Sequence, residues 1–122
     1  MTVTEIHELN EKFQKGAVQL SELIPTGTLV QATSMLIRSA RKIDDQFLKL
    51  LKAPSHSVFN KIMGLLEDET DEILFILDQL ELANKKQKIS LIDDFVKEGY
   101  DLMAIYSRCF DLIIGKKVKE EE

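Results

Sequence analysis

The sequence predicts an all-α fold, arranged as an antiparallel up-down four-helix bundle. Apolar residues recur at steps of three and four in four successive blocks, the spacing that places them on one face of a helix. Prolines, glycines or short polar runs separate the blocks, so consecutive helices are joined tightly and must run antiparallel. Period-two alternation never persists, and Asn-Gly and Asp-Gly hairpin signals are absent.

The first helix is expected over 4–23, with Ile6, Leu9, Phe13, Ala17, Leu20 and Leu23 or Ile24 on its apolar face. Thr2 followed by Glu5 resembles a capping box, and Pro25 and Gly27 end the segment. The second is expected over 28–52, opened by Thr28. Its apolar positions are Leu29, Ala32, Leu36, Ala40, Ile43, Phe47 and Leu50, and Pro54 lies just beyond its end. The third spans 56–83, capped by Ser55 or Ser57, with Phe59, Ile62, Leu66, Ile73, Leu77 and Leu80 inward. A polar turn from Asn84 to Lys88 follows, and its lysines suit the negative end of the helix dipole. The fourth spans 91–114, opened by Ser90 and Asp93. Ile92, Phe95, Leu102, Tyr106, Cys109 or Phe110, and Ile113 are its apolar positions, and Gly115 is its expected stop. Residues 116–122, KKVKEEE, read as a charged C-terminal tail.

The 122 residues are 44% hydrophobic and 30% charged, enough to build one core without a disulfide or metal. The net charge of −5 argues against a general polyanion binder, although a local basic face exists. Cys109 is the sole cysteine and offers no sign of an oxidising compartment. The longest purely apolar run is Ile73 to Leu77, far below the roughly 20 residues of a membrane span. The N-terminal residues lack an apolar signal region, so a cytoplasmic protein with no membrane partner is expected.

No catalytic or cofactor constellation is evident, so no enzyme activity, cofactor or metal is expected. Neither His7 nor His56 has an acid three residues before it, and HExxH, CxxC and glycine-rich phosphate loops are lacking. Both histidines read as surface or cap residues, and Cys109 reads as a small buried hydrophobe.

Four features bear on partners. Arg38, Arg41, Lys42, Lys49 and Lys52 fall within roughly a 100° arc opposite the apolar face of the second helix. They read as a solvated face or as a docking surface for nucleic acid or an acidic protein. Glu67, Asp68, Glu69, Asp71, Glu72, Asp78 and Glu81 form an acidic block on the third helix that could face the basic stripe, within or between protomers. Glu69 projects toward the apolar side and reads as a buried carboxylate, paired with Arg108 or Lys15. Leu74, Phe75 and Ile76 widen the apolar surface beyond what one seam requires and suggest a subunit interface.

The runs ILDQLELANKKQKIS and LIDDFVKEGYDLMAIYSRCFDLIIGKK resemble the last helix pair of the 23S rRNA-intervening-sequence family of four-helix-bundle proteins. LVQATSMLIRSARKI, with its Ile-Arg-x-Ala core, resembles that family's second helix. DDQFLKLLKAPS stands where the family has an Asn-Ile-Ala-Glu-Gly run, and the aromatic-rich first helix is weak, as in a distant relative. The resemblance implies a homo-oligomer, specifically a pentameric ring. It also implies nucleic-acid binding through a basic surface, as in the related accessory proteins of diversity-generating retroelements. It brings no catalytic residues. Three functions follow as expectations: a non-catalytic oligomeric scaffold or adaptor, a nucleic-acid-binding accessory protein using the basic stripe, and a small-molecule binder in the core or at a subunit boundary.

Overall fold

The computed structural model describes residues 2–23 and 28–121. Four α-helices account for nearly all of them: α1 (Val3–Leu23), α2 (Thr28–Leu51), α3 (His56–Gln87) and α4 (Ser90–Glu121). There is no strand among the described residues. Pro25, Gly27 and Ile24 lie outside them, as do the side chains of Leu23, Thr28 and Leu29.

Local chemistry sets the helix ends. Thr2 Oγ1 accepts from the Glu5 amide at 3.2 Å, and its hydroxyl donates to Glu5 Oε1 at 3.1 Å. Ser55, extended at φ −146°, accepts from the Val58 amide and caps α3. The polar run 84–87 continues α3 instead of forming the expected turn, because Lys and Gln are good helix formers and Asn84 is held by side-chain hydrogen bonds. The chain then reverses at Lys88, whose φ of 53° is left-handed. Asn84 is buried beneath this reversal. Its Nδ2 donates to the Ile89 carbonyl at 2.9 Å and to Asp93 Oδ1 at 2.7 Å, and its Oδ1 accepts from the Ile89 amide. Asp93, read as part of a cap with Ser90, is thus held by Asn84.

At its far end α4 does not stop at Gly115 but continues to Glu121. The tail expected over 116–122 is therefore helical through Glu121. A helical glycine costs only about 1 kcal/mol relative to alanine, and the Lys-Glu sequence that follows favours helix.

Each helix packs against two others, in the pairs α1–α2, α2–α3, α3–α4 and α4–α1, while the diagonal pairs stay apart. The centre is largely apolar and continuous. Ile6, Phe13, Ala17 and Leu20 of α1 meet Leu36, Ala40, Ile43, Phe47 and Leu50 of α2. Leu66, Ile73, Leu77 and Leu80 of α3 and Phe95, Leu102, Tyr106 and Phe110 of α4 complete it. Phe110, not Cys109, takes the fully buried position at that turn; Cys109 is half-buried. Leu9, Ala32 and Ile113 sit at the core's edge.

Aromatic rings order this core. Phe13 and Phe95 stack with centroids 4.9 Å apart, and Phe47 meets Tyr106 edge-on at 5.6 Å. Gly99 lets α4 approach the Leu77 and Phe13 side chains, since a Cβ there would lie 2.8 Å from Leu77 Cδ1.

Candidate functional site

The basic stripe of α2 is divided among its neighbours rather than presented as one face. Arg41 leans toward α1 and donates through Nε to Gln14 Oε1 at 3.2 Å. Lys42 leans toward α3 and pairs with Glu69 at 3.3 Å. Arg38 lines a surface hollow between α2 and α3 together with Lys42, Asp68, Glu69 and Glu72. Three of the five positive charges therefore stand over groups of the same chain. Lys49 and Lys52 line a separate hollow at the far end of α2 with Leu48, Pro54, Val58 and Ile62.

Glu69 is a rim carboxylate, not a buried one. Its side chain retains 21% exposure, and its partner is Lys42 rather than Arg108 or Lys15. It lies at the α2–α3 seam, where a lysine stem can reach over the apolar edge while its ammonium stays hydrated. The charge matching expected between stripe and acidic block thus occurs within the subunit at Lys42 and Glu69.

The expected interface triplet separates by helix geometry. Ile76 points inward and is 4% exposed, so it belongs to the subunit's own core. Leu74 is half-buried against the same core. Phe75 alone projects outward, at 61% exposure. Leu82, seven residues on and thus two turns along the same face, is equally exposed. Sequence inspection missed Leu82 because it sits inside an otherwise regular helical repeat.

Several polar residues have structural roles that spacing did not reveal. Asn10 is fully buried on α1. Its Nδ2 donates to the Ala40 carbonyl at 3.1 Å and to the Tyr106 hydroxyl at 2.8 Å, and its Oδ1 accepts from Gln14 Nε2 at 2.7 Å. Arg41, Gln14, Asn10 and Tyr106 thereby form one chain of donors running from the surface into the core. Burial pushes the Tyr106 phenol above its ordinary range, opposed by the hydrogen bond from Asn10. Tyr100 lies at the α3–α4 seam, its hydroxyl against Asp78 and Glu81. Burial, then the hydrogen bond to Asp78, raises its pKa.

His7 is half-exposed but ordered. Nδ1 faces Asp44 Oδ2 at 2.6 Å and Nε2 faces Glu11 Oε1 at 3.0 Å. The hydrogen bond and charge of Asp44 raise the imidazole pKa above 6.5. His56 opens α3 and is exposed.

Among the described residues, no group of three or more His, Cys, Asp or Glu side chains could hold a metal ion. An apolar hollow lies between α1 and α4, floored by Leu9, Phe13, Leu102 and Ile105. Lys12 and Glu98, 3.9 Å apart, stand at its rim with Asp101. No converging set of donors and acceptors points into it, so it lacks the features of a specific polar-ligand site. Every buried side-chain nitrogen and oxygen among the described residues has a hydrogen-bond partner. None of the described helices is long and apolar enough to cross a membrane. No family model, curated protein or solved structure matches the chain.

Proposed function

We propose that the protein is a non-catalytic, self-associating scaffold whose subunit is an antiparallel up-down four-helix bundle. The observation that carries this reading is the outward pair Phe75 and Leu82 on α3, each 61% exposed. Burying one such side chain is worth about 1.5–3 kcal/mol, and a pair on one face gives an assembly a nucleus.

The bundle topology is supported by the order of cross-helix contacts. Phe13 meets Phe95, whereas Asn10, earlier in α1, meets Tyr106, later in α4. Likewise Asn84 meets Asp93 while Asp78 meets Tyr100. Rising numbers on one helix pair with falling numbers on the next, as antiparallel neighbours require. The scaffold reading is supported by the use of Asn10, Gln14, Asn84, His7 and Glu69 in holding helices to one another. A distant relationship to the 23S rRNA-intervening-sequence proteins, with a pentameric assembly, fits the same picture, and a single free cysteine suits the cytoplasm.

The test is mass in solution by light scattering on the full chain of 14.0 kDa. A multiple of that mass is expected, and a mass of five chains would support the family relationship. Phe75→Glu with Leu82→Glu should return the mass to one chain with unchanged circular dichroism. A monomeric natural chain at high concentration would overturn the proposal.

A further inference from the structure

Two separate surfaces expose apolar side chains and carry opposite charge. The first is the outer face of the second half of α3. Asp71, Glu72 and Asp78 lie three or four residues from Phe75, which places them around its ring on the helix surface. Leu82 extends the same face by two turns. The second surface is the hollow where α2 ends and α3 begins. Leu48 and Val58, both exposed, line it above Ile62, and Lys49 and Lys52 supply positive charge. Neither lysine has an ion pair among the described residues, whereas Lys42 is held by Glu69.

The two surfaces cannot meet within one chain. Val58 and Phe75 belong to the same helix, and at about 1.5 Å per residue they are roughly 25 Å apart along it. Like-on-like docking of the α3 faces is disfavoured, because Asp71 and Asp78 would oppose their own copies. Docking of one surface on the other covers the exposed apolar side chains of both and sets lysines beside carboxylates.

We infer that the acidic, apolar face of α3 around Phe75 docks into the basic, apolar hollow of Leu48, Lys52 and Val58 on a second copy of this chain. This rests on the self-association proposed above and names the surfaces that meet. The apolar contacts supply the affinity, and the flanking charges set the register and exclude like-charged pairings. Salt weakens the contact because those charges stand at a hydrated rim.

The test reads self-association of full-length variants by light scattering and analytical ultracentrifugation. Lys49→Glu with Lys52→Glu should weaken association about tenfold or more. Adding Asp71→Lys and Asp78→Lys to the same chain should restore it. All four positions are exposed, and circular dichroism checks that the variants remain folded. Mixing the lysine-reversed chain with a Phe75→Glu chain should yield a two-chain complex, because each retains the surface its partner lacks. Unchanged association of the lysine-reversed chain overturns the pairing while leaving self-association intact. Loss without rescue likewise overturns it, by assigning the lysines another role. A monomeric natural chain removes self-association itself, and the pairing with it.

Discussion

Asn10 of α1 donates a 2.8 Å hydrogen bond to the Tyr106 hydroxyl of α4 inside a largely apolar core. The bond joins two helices far apart in sequence. Because the second Asn10 amide hydrogen goes to the Ala40 carbonyl of α2, one side chain ties together three helices. In low-dielectric surroundings such a group stabilises the fold when fully partnered and destabilises it when stripped of a partner.

Asn10→Ala should therefore cost about 2–4 kcal/mol, combining lost hydrogen bonds, a small cavity and an undonated Tyr106 hydroxyl. Tyr106→Phe alone should cost about 1 kcal/mol. The pair Asn10→Ala and Tyr106→Phe removes both ends of the bond and should be less destabilising than the sum of its parts. Urea denaturation of the four members of this cycle measures the coupling. Strict additivity would show that the two residues do not act together.

The contrast between Gly99 and Gly64 gives a second expectation. Both sit inside helices, where alanine is intrinsically favoured by about 1 kcal/mol. A Cβ at Gly64 meets nothing within 4 Å, so Gly64→Ala should stabilise by up to about 1 kcal/mol. A Cβ at Gly99 would lie 2.8 Å and 2.9 Å from the two Leu77 methyls and 3.0 Å from the Phe13 ring. Leu77 is wholly buried and has little room to move, so overpacking of about 1–3 kcal/mol should outweigh the propensity gain. Thermal melts of the two variants should shift in opposite directions.

Helix periodicity made the core legible before any coordinates. Phe59, Ile62, Leu66, Ile73, Leu77 and Leu80 were expected inward on α3, and all are buried. The same periodicity separated poorly the residues at the edge of the arc, where Ile76 turns in and Phe75 turns out. Glu69 shows why the polar detail was harder. Its position on the helix was readable, but its partner depended on the rotation of α2 relative to α3, which spacing within one helix does not encode. Asn10 and Asn84 carry no sequence signal beyond being polar residues, because each earns its role from hydrogen bonds made across helices or around a chain reversal.

The α3–α4 reversal supplies a third expectation. Lys88 adopts φ 53°, a conformation that crowds a side chain and suits glycine. Lys88→Gly should relieve that crowding, and a modest gain of about 0.5 kcal/mol is expected after the added entropy of the unfolded glycine is subtracted. Asn84→Ala removes three hydrogen bonds from a buried site and should cost about 2–3 kcal/mol. Chemical denaturation distinguishes the two. A loss of stability in Lys88→Gly would indicate that the lysine side chain contributes more than its backbone costs.

His7 provides the last expectation, a dependence on pH. Both ring nitrogens face carboxylate oxygens, Asp44 across the α1–α2 seam and Glu11 one turn along α1. Only the imidazolium can donate to both at once, so the folded state favours protonation and the pKa is raised, chiefly by the hydrogen bond to Asp44. A raised folded pKa means that folded His7 holds its proton at pH values where the unfolded side chain has released it. The stabilisation is thus fully present below the unfolded value of about 6.5 and fades as pH rises through the higher folded pKa. His7→Gln should be less stable than the natural chain in mildly acidic buffer, and the gap should narrow as pH increases above that window. Imidazole chemical shifts followed by NMR give the folded pKa directly. A His7 titration at or below 6.5 would show that Asp44 and Glu11 do not hold the imidazolium in solution.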